Sequence, residues 1–320
     1  MTYLSLVVPV YNEEENLQLL FKAVKKVLKP MSRPWEMVLV DDGSVDGSPR
    51  ILEELARKDP EHIRAIFFRR NFGQTAAISA GIDYAQGEVV VLLDADMQND
   101  PADIPMMLKK LDEGYDVVSG WRKERKDAFL TRTLPSRIAN RLISWVTHVR
   151  LHDYGCTLKA YRRDVLVGFR LYGEMHRFIP VYAYANGARI VEVPVHHHPR
   201  KYGETKYGLE RTVKVILDLF TVRFLLSYSH KPIYLFGGAG IGLMLISAAT
   251  LAFLMIRRLF FAISPFNSPF FQVSAMLFIL GFQSILMGLI AEMLVRTYHE
   301  SQRKTTYTVR RVMNNTKDTP

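Results

Sequence analysis

Cysteine is almost absent from this sequence, because Cys156 is the only one among 320 residues. A single cysteine excludes an intramolecular disulfide and agrees with a reducing compartment. It also leaves no cysteine cluster for zinc, although the three consecutive histidines His196 to His198 raise that question again. Consecutive side chains of an extended chain point to opposite faces, so these three cannot bind one ion together. We expect them to be structural or surface histidines.

Charge is missing from two long stretches, Ile233 to Ile256 and Phe270 to Ala291. Each exceeds the roughly 20 apolar residues that a membrane-spanning helix needs. Buried core helices are the alternative, and this length disfavours them. The chain starts with Met1-Thr2-Tyr3 and runs directly into a predicted strand, so we expect no signal peptide.

Elsewhere the chain is basic, with a formal net charge of +10 at pH 7. Such a charge could indicate a nucleic-acid partner. In a chain with two predicted membrane spans, anionic lipid headgroups and phosphate-bearing substrates explain it better. We therefore predict a membrane protein that does not bind nucleic acid.

Residues 1 to about 100 alternate between short apolar runs and helical patterns. This alternation predicts an α/β fold with a doubly wound parallel sheet. Asn12, three residues before Glu15, is the predicted N-cap of the first helix in a capping box. The four predicted strands are Ser5 to Val10, Glu36 to Val40, Ile63 to Phe68 and Val89 to Leu93.

Polar clusters follow three of these strands: Tyr11 to Glu13, Asp41 to Ser44, and Asp94 to Gln98. Each cluster alone could be a helix cap or a turn. Ligands of open α/β sheets bind outside the carboxyl ends of the strands, and all three clusters should share that rim. Asp94 and Asp96 add two carboxylates, and oxygen ligands of this kind suit Mg²⁺ or Mn²⁺ beside substrate phosphates.

Four segments carry a specific resemblance: VVPVYNEEENL, VLVDDGSVDGS, RRNFGQTAAISAGIDYAQGEVVVLLDADMQNDP and SGWR. They resemble the family 2 inverting glycosyltransferases, and within them the polyprenyl-phosphate branch, which includes dolichol-phosphate mannose synthases and bactoprenol glucosyltransferases. The resemblance covers roughly residues 4 to 210, and the two spans resemble the bactoprenol glucosyltransferase layout. It implies an α/β, GT-A (Rossmann-like) catalytic domain with interfacial helices and two C-terminal transmembrane helices.

The resemblance also implies roles for individual residues near the donor. Asp94, Asp96 and Gln98 would hold Mg²⁺ or Mn²⁺ and the donor diphosphate. A divalent cation there would stabilise the charge that develops on the leaving nucleoside diphosphate. The nucleotide would be bound by Pro9, Tyr11, Glu13, Asp41, Asp42, Asn71 and Gly73, with Asp42 near the ribose or the edge of the base.

The segment from Arg122 to Arg141 mixes many basic residues with apolar ones. A solvated basic face is the alternative, but the amphipathic mixture suits a membrane surface and an acidic lipid headgroup. A second basic segment, residues 199–208, has two glycines and could order over the diphosphate once both substrates are bound. By the resemblance, the acceptor and phosphate ligands are Arg132, Ser136, Arg137, Arg200 and Lys206.

Asp94, Asp96, Arg122 and Asp153 form the predicted catalytic group. By the resemblance, Asp153 lies where related enzymes place an acidic residue near the acceptor. A phosphate acceptor has a second pKa of about 6 and is already largely deprotonated near neutral pH. We therefore expect Asp153 to position the sugar or an arginine, with a general-base role as the alternative.

The sequence divides into a catalytic domain (1–208), an amphipathic juxtamembrane helix (209–231), a two-helix transmembrane domain (232–296) and a cytoplasmic tail (297–320). The juxtamembrane helix could instead face the domain core. Lysine and arginine flank both outer ends of the span pair, which predicts an inner-membrane, multi-pass protein with the catalytic domain and both termini cytoplasmic. Gly238 and Gly242 have small-xxx-small spacing and suggest a possible homo-oligomer.

Together these features predict transfer of a hexose from a nucleotide sugar to polyprenyl phosphate, as a step in lipopolysaccharide or cell-envelope glycan modification. UDP-glucose and undecaprenyl phosphate are the first choice, with GDP-mannose and UDP-amino-arabinose types as alternative donors. A processive polysaccharide synthase is a further alternative, although its Q-x-x-R-W signature is absent. A non-catalytic sugar-nucleotide sensor is another, although the residues of the predicted metal site are all present.

Overall fold

The computed structural model describes residues 2–123, 134–166, 171, 175–199, 232–261, 264, 266, 268–301 and 309–313. The chain divides into two compact units. The first unit comprises Met1–Val222 together with Thr305–Pro320, and the second comprises Arg223–Lys304. The predicted juxtamembrane helix, residues 209–231, lies outside the described residues.

An eight-stranded sheet with the order β7-β5-β6-β4-β1-β2-β3-β8 forms the centre of the first unit. The strands are β1 (Leu4–Val10), β2 (Trp35–Asp41), β3 (Ile63–Phe68), β4 (Val89–Leu92), β5 (Val117–Trp121), β6 (Lys159–Arg162), β7 (Ile190–Pro194) and β8 (Val309–Met313).

The first four strands pair as the apolar runs predict. β1 is parallel to β2 and to β4, and β2 is parallel to β3. All four strands are buried along nearly their whole length, as expected for a sheet that is covered on both faces. The parallel order predicted for residues 1 to about 100 is confirmed. Farther along the chain, β6 inserts antiparallel between β4 and β5, and β8 is antiparallel to β3. The sheet is therefore mixed.

Among the described residues, six α-helices accompany the sheet: α1 (Glu14–Leu28), α2 (Ser48–Lys58), α3 (Gln74–Tyr84), α4 (Ile104–Asp112), α5 (Leu134–Thr147) and α6 (Ile179–Ala185). The apolar residues of α1 recur at helical spacing, and its core-facing side chains are buried. The predicted capping box is wrong. Glu13 is the N-cap and makes no side-chain cap, while Asn12 has a positive φ of 53° and turns toward a neighbouring loop.

The edge strand β8 lies within residues 297–320, for which the sequence predicts a cytoplasmic tail. In the structure, Val309–Met313 pair with β3, with Val312 opposite Ile66. The sequence VRRVM is short and carries two arginines, so its apolar pattern is weak. Charged residues on an edge strand are a common protection against further pairing.

The second unit contains α7 (Ile233–Phe261) and α8 (Pro269–Ser301). Their apolar segments have mean hydropathies of 2.2 and 2.1 and are long enough to cross a membrane. Large apolar side chains such as Leu245, Phe253 and Met276 are more than half exposed, unlike those of a core helix in a soluble protein. The prediction of two C-terminal apolar helices that could span a membrane is confirmed.

Small residues bring α7 and α8 together. A Cβ atom added to Gly240 would lie 2.5 Å from the carbonyl oxygen of Gly281, so the two backbones are in direct contact there. Ser247 and Ser284 each donate a hydrogen bond to a backbone carbonyl of the opposite helix, at 2.7 Å and 2.8 Å. The predicted pair Gly238 and Gly242 does not take part in this contact, because added Cβ atoms would meet no described residue within 4 Å.

Candidate active site

Loops from the carboxyl ends of β1 to β4 lie on one rim of the sheet, because these four strands are parallel neighbours. The three polar clusters named from the sequence therefore share this rim, as predicted. Arg69 to Gly73, which follow β3, form the fourth loop of the group. Pro9 lies within β1 opposite Val40, one residue before the end of the strand.

Side-chain hydrogen bonds join the first two loops. The backbone N–H of Asn12 donates to Ser44 Oγ, and Asn12 Oδ1 accepts from the N–H of Val45, both at 2.9 Å. The N–H of Glu13 donates to Ser48 Oγ at 2.9 Å. The segment with Tyr11 and Glu13 is therefore fixed against the segment that contains Asp41 and Asp42.

Asp41 and Asp42 are both buried but make different contacts. Asp41 Oδ1 accepts from the N–H of Ser44 within its own turn, and burial raises the pKa of its carboxyl. Asp42 reaches the next loop, where its two oxygens accept from the N–H groups of Phe72 and Gly73 at 2.7 and 2.9 Å. Burial raises the pKa of Asp42 to about 6, although these hydrogen bonds favour the ionised form. Asp42, predicted to lie near the ribose or base, thus supports the β3–α3 loop.

Gly43 allows the second and third loops to approach closely. Its φ is +70°, and an added Cβ would lie 2.4 Å from the carbonyl carbon of Arg70 and 2.7 Å from the nitrogen of Asn71. Only glycine accommodates both the left-handed backbone and this approach. Asn71 itself is exposed on the rim, beside the backbone that Asp42 holds.

Asp94 and Asp96 follow β4 at the middle of the rim. Gln74 Nε2 donates to Asp94 Oδ1 at 2.9 Å, and the Thr157 hydroxyl also bonds this carboxylate. Burial, followed by the negative charge of Asp96, raises the pKa of Asp94 to about 6. Asp96 Oδ1 accepts from the N–H of Gln98 at 3.1 Å, across a residue with a positive φ. A non-glycine residue with a positive φ indicates a locally constrained backbone, which is common at functional sites.

These residues fit a hard divalent cation. Asp94, Asp96 and Gln98 offer oxygen atoms from two carboxylates and one amide, and the two carboxylates repel each other until a cation lies between them. Within the described parts of the chain, no group of three or more His, Cys, Asp or Glu side chains could enclose a metal ion. Mg²⁺ commonly binds through one or two carboxylates and completes its coordination with substrate phosphates and water. The arrangement therefore suits an ion shared with a substrate.

Arg122 and Asp153 form a buried ion pair where β5 ends. Arg122 Nε lies 2.7 Å from Asp153 Oδ2, and Arg122 Nη2 lies 3.0 Å from Asp153 Oδ1. Burial alone would lower the pKa of Arg122, yet the Asp153 carboxylate raises it above its ordinary value. The arginine contact expected of Asp153 is thus present, and Arg122 also lies within electrostatic range of Asp94.

Lys159 begins β6 directly behind this group. Its side chain is buried, and Nζ donates to the backbone carbonyls of Tyr154 and Cys156. Burial lowers the pKa of Lys159, while its charge stabilises the ionised form of Asp94. Lys159 therefore fixes the loop after Asp153 and adds positive potential behind the carboxylates.

Glu192 on β7 holds the other side of the same loop. Its carboxylate accepts from the N–H groups of His152 and Asp153 at 2.9 and 3.0 Å, and it contacts His152 Nδ1 at 2.6 Å. The His152 ring stacks on Trp121, with 4.5 Å between ring centroids. Asp153 is thus held through its backbone by Glu192 and through its side chain by Arg122.

The three consecutive histidines lie against the segment that follows the metal motif. His196 uses both its N–H and its ring Nδ1 to contact Asp103, each at 2.7 Å. His198 Nε2 lies 3.1 Å from Asp100, and His197 pairs with Asn99 in an isolated bridge. The N–H of His198 also donates to the carbonyl of Gln98 at 2.8 Å.

These contacts have a structural consequence. They join the end of β7 to the loop that carries Asp96 and Gln98, so their contacts are structural. Arg200 and Lys206, predicted phosphate ligands, follow directly in the chain but lie outside the described residues. Arg132 also lies outside them. Ser136 and Arg137 belong to the first turns of α5, whose backbone is described there without their side chains.

Four residues of this site were not among the predicted ones: Gln74, Thr157, Lys159 and Glu192. Gln74 lies inside the motif NFGQTAA, one residue after Gly73, and this position was the only available signal. The other three come from β6, its preceding loop and β7. Thr157 and Lys159 act on Asp94, and Glu192 binds the backbone of His152 and Asp153. These contacts join residues that are far apart in the sequence, so no local pattern indicates them.

Comparison with known proteins agrees with this geometry. The model of the family described as Glycosyl transferase family 2 matches residues 5–168. The dodecaprenyl-phosphate galacturonate synthase of Rhizobium johnstonii is 40% identical over 314 residues, which cover 97% of this chain and 93% of that protein. The undecaprenyl-phosphate 4-deoxy-4-formamido-L-arabinose transferase of Klebsiella pneumoniae subsp. pneumoniae is 36% identical over 310 residues, with the same coverage.

A solved structure shares the fold of the first unit. Glucosyl-3-phosphoglycerate synthase from Mycobacterium tuberculosis, crystallised with Mn²⁺ and UDP-glucose, superposes with a TM-score of 0.51 at 18% identity. The match covers 69% of this chain and 79% of that structure. At this level of identity the similarity establishes the GT-A fold and nothing more.

Proposed function

The chain belongs to glycosyltransferase family 2, and from this premise we propose that it transfers a sugar from a nucleotide sugar to polyprenyl phosphate. The observation that carries the proposal is the similarity, over 97% of the chain, to two relatives whose names both state a polyprenyl-phosphate acceptor. The similarity extends through the two apolar helices, which would keep the enzyme at the membrane where such a lipid resides.

The donor differs between these two relatives. One name states galacturonate and the other 4-deoxy-4-formamido-L-arabinose, and neither states glucose. UDP-glucose, the first choice from the sequence, therefore has no support from these relatives, and the alternative of another donor sugar takes its place. We propose a galacturonate donor first, because that relative has the higher identity, and a formamido-arabinose donor second.

Asp94, Asp96 and Gln98 would hold a divalent cation together with the donor diphosphate. When bound, Mg²⁺ or Mn²⁺ would neutralise the charge that grows on the leaving nucleoside diphosphate. The all-oxygen donor set of the rim supports this assignment. Arg122 and Lys159 add positive potential beside the two carboxylates.

The reaction would be a single displacement. A phosphate oxygen of the lipid forms a bond to the anomeric carbon, and the bond from that carbon to the nucleoside diphosphate breaks with inversion. The acceptor is largely deprotonated near neutral pH, so the step needs no general base. In this mechanism Asp153 acts by holding Arg122. Arg132, Ser136, Arg137, Arg200 and Lys206 remain the proposed ligands of the acceptor and the phosphates.

The catalytic unit and both chain termini would lie on the cytoplasmic side of the inner membrane. Lysine and arginine flank the outer ends of the helix pair, in line with the positive-inside rule. The position of β8 agrees with this orientation, because β8 follows both helices in the chain yet pairs with β3. This pairing requires the chain to return to the side from which it entered, as two membrane crossings allow.

The test is sugar transfer to undecaprenyl phosphate by detergent-purified protein. UDP-galacturonate, UDP-formamido-arabinose and UDP-glucose are supplied in parallel with Mg²⁺ or Mn²⁺, and product is measured in the lipid phase. Asp96→Ala serves as the inactive variant. Asp164→Ala, a change of an exposed carboxylate outside the proposed site, serves as its matched control.

We expect metal-dependent transfer from one of the first two donors by the wild type and by Asp164→Ala. Asp96→Ala should lower the rate by at least about 100-fold, as the loss of a large electrostatic contribution does. Equal activity of Asp96→Ala would contradict the metal site. Transfer from UDP-glucose alone would restore the sequence-based donor, and no transfer to the lipid from any donor would exclude the proposed acceptor.

A further inference from the structure

We infer that Gln74 is a positioning residue that orients Asp94 for metal binding, and that Asp42 holds Gln74 in place through the β3–α3 loop. The inference deepens the proposed function and rests on its metal site. Gln74 is not among the site residues predicted from the sequence. Asp42 is among them, but with a predicted role in nucleotide binding.

The first step is the contact between Gln74 and Asp94. Gln74 is the first residue of α3, and its Nε2 donates to Asp94 Oδ1 at 2.9 Å. The two residues come from different strand–helix connections, so this bond joins the loop after β3 to the loop after β4. A carboxylate has about four acceptor positions on its two oxygens. Two neutral donors, Gln74 and Thr157, therefore fix the orientation of Asp94 and leave acceptor capacity for a cation.

The second step is the support of Gln74 itself. The residue before it, Gly73, has a φ of +96° and therefore lies outside the regular helix. Other contacts must fix its backbone. The two oxygens of Asp42 accept from the N–H groups of Phe72 and Gly73, so Asp42 fixes the peptide groups on either side of Phe72, directly before Gly73 and Gln74. On the other side, the Thr75 hydroxyl contacts His176 Nδ1 at 2.7 Å, and both residues are buried.

The third step is the choice of a neutral amide. Asp94 lies beside a second carboxylate, Asp96, and the proposed cation would bind both. A lysine at position 74 would also donate to Asp94, but its charge would compete with the metal ion. An amide stabilises the ionised carboxylate without that competition. Partners of this kind, which bind a metal ligand from behind, typically change metal affinity by about 10- to 100-fold when they are removed.

Gln74 contributes little to the packing of α3 against the rest of the domain. The packing of α3 rests on buried residues farther along the helix, including Ala76, Ala77, Ile78 and Ala80. Gln74 lies at the partly buried end of the helix, and its side-chain amide donates to Asp94. Loss of the amide should therefore weaken metal binding and leave the stability of the domain nearly unchanged.

The experiment measures Mn²⁺ binding to the full-length protein in detergent, with saturating UDP and without acceptor, from the electron paramagnetic resonance signal of free Mn²⁺. UDP is included because the proposed ion also binds the donor diphosphate. Gln74→Met keeps the length of the side chain and removes the amide. Gln18→Met makes the same chemical change at an exposed position of α1 and is the matched control. Binding that survives in the Asp94→Ala, Asp96→Ala double variant is subtracted as unspecific.

We expect Gln74→Met to raise the Mn²⁺ dissociation constant by about 10- to 100-fold, with the thermal unfolding midpoint unchanged and with Gln18→Met equal to wild type. Turnover should recover when Mn²⁺ is raised to saturation, which a damaged fold would not allow. If Gln74→Met does not fold, Gln74→Asn tests the same point, because it keeps the amide but withdraws it from Asp94 by one methylene.

Two results would overturn the inference, and they are distinguishable. If the wild type binds Mn²⁺ at the two carboxylates and the folded Gln74 variant binds it equally well, the positioning role is wrong and the proposed function stands. If the wild type binds no more Mn²⁺ than the double variant, the proposed metal site itself fails, and this inference fails with it.

Discussion

Arg122 and Asp153 are joined by two parallel hydrogen bonds in a place where water has little access. The Asp153 side chain is 2% exposed and that of Arg122 is 17% exposed. A guanidinium and a carboxylate in this fork geometry orient each other strongly. Glu192 holds the backbone of Asp153, so the pair belongs to a larger support that reaches from β7 to the rim of the sheet.

The pair predicts strong coupling in a double-mutant cycle. Asp153→Ala removes the counter-ion of the buried guanidinium, and Arg122→Ala removes the counter-ion of the buried carboxylate. Removal of one partner of a buried ion pair costs about 3–5 kcal/mol. We expect each single variant to unfold at a clearly lower temperature than wild type, and the double variant to cost far less than the sum. Additive losses would contradict the pairing.

The same residues separate positioning from base catalysis. If Asp153 acts through Arg122, Asp153→Asn and Arg122→Ala should lower sugar transfer to a similar degree, and neither should remove an acidic limb from the pH–rate profile. A general base would behave differently, because Asp153→Asn alone would flatten that limb. The measurement is the pH dependence of kcat for the three proteins at saturating metal.

The sequence predicts those parts of the structure that depend on local patterns. Strands β1 to β4 are apolar runs separated by amphipathic helices, and the rim with Asp41, Asp94 and Asp96 follows from their parallel order. The sequence does not predict the antiparallel strands β6 and β8, because their register depends on partners far away in the chain. Gln74 and Glu192 were missed for the same reason, since each is defined by contacts with residues distant in the sequence.

Because of Asp42, we expect the free energy of unfolding to depend on pH. Its carboxyl has an ordinary pKa of 3.8 and a pKa of about 6 in the folded protein, so the folded state binds the proton more tightly. Its contribution to stability is therefore fully present below about pH 3.8 and is lost as the pH rises through about 6. The loss amounts to at most roughly 3 kcal/mol.

The measurement is the thermal unfolding midpoint of wild type and of Asp42→Asn between pH 4 and pH 8. Asn cannot titrate, so the wild type should lose stability relative to the variant as the pH rises through about 6. Other titrating groups are common to both proteins and cancel in the difference. Parallel curves across this range would show that the pKa of Asp42 is not raised.

We expect Gly43→Ala to lower the stability of the protein by more than the usual replacement of a glycine with positive φ. Gly187 has a similar φ, +88°, but an added Cβ would meet nothing within 4 Å, so Gly187→Ala measures the backbone cost alone, about 1–2 kcal/mol. Gly43→Ala adds a collision with the backbone of Arg70 and Asn71. We expect it to lower the unfolding temperature further and to weaken nucleotide-sugar binding, whereas Gly187→Ala leaves binding unchanged. Equal effects would contradict the close approach of the two loops.

The proposed orientation predicts which introduced cysteines react from each side of the membrane. Cys156 is buried, and burial raises the pKa of its thiol to about 11. The wild type should therefore react only very slowly with maleimides. Ser264→Cys, between the two apolar helices, should react with a membrane-impermeant maleimide added to intact spheroplasts. Glu61→Cys, exposed in the catalytic unit, should react only after permeabilisation. The reverse pattern would overturn the orientation.

The helix pair predicts opposite outcomes for two glycines that lie two residues apart. A side chain at Gly240 would collide with the backbone of Gly281, whereas one at Gly238 meets nothing within 4 Å. Gly240→Leu should therefore force α7 and α8 apart and lower the unfolding temperature in detergent, at a cost of about 1–3 kcal/mol or more. Gly238→Leu is the matched control and should leave that temperature unchanged.

If Gly238→Leu lowers the assembled mass in detergent while the unfolding temperature stays the same, the Gly238 face packs between copies of the chain, as its small-xxx-small spacing predicts. Equal destabilisation by both substitutions would contradict the direct contact between Gly240 and Gly281.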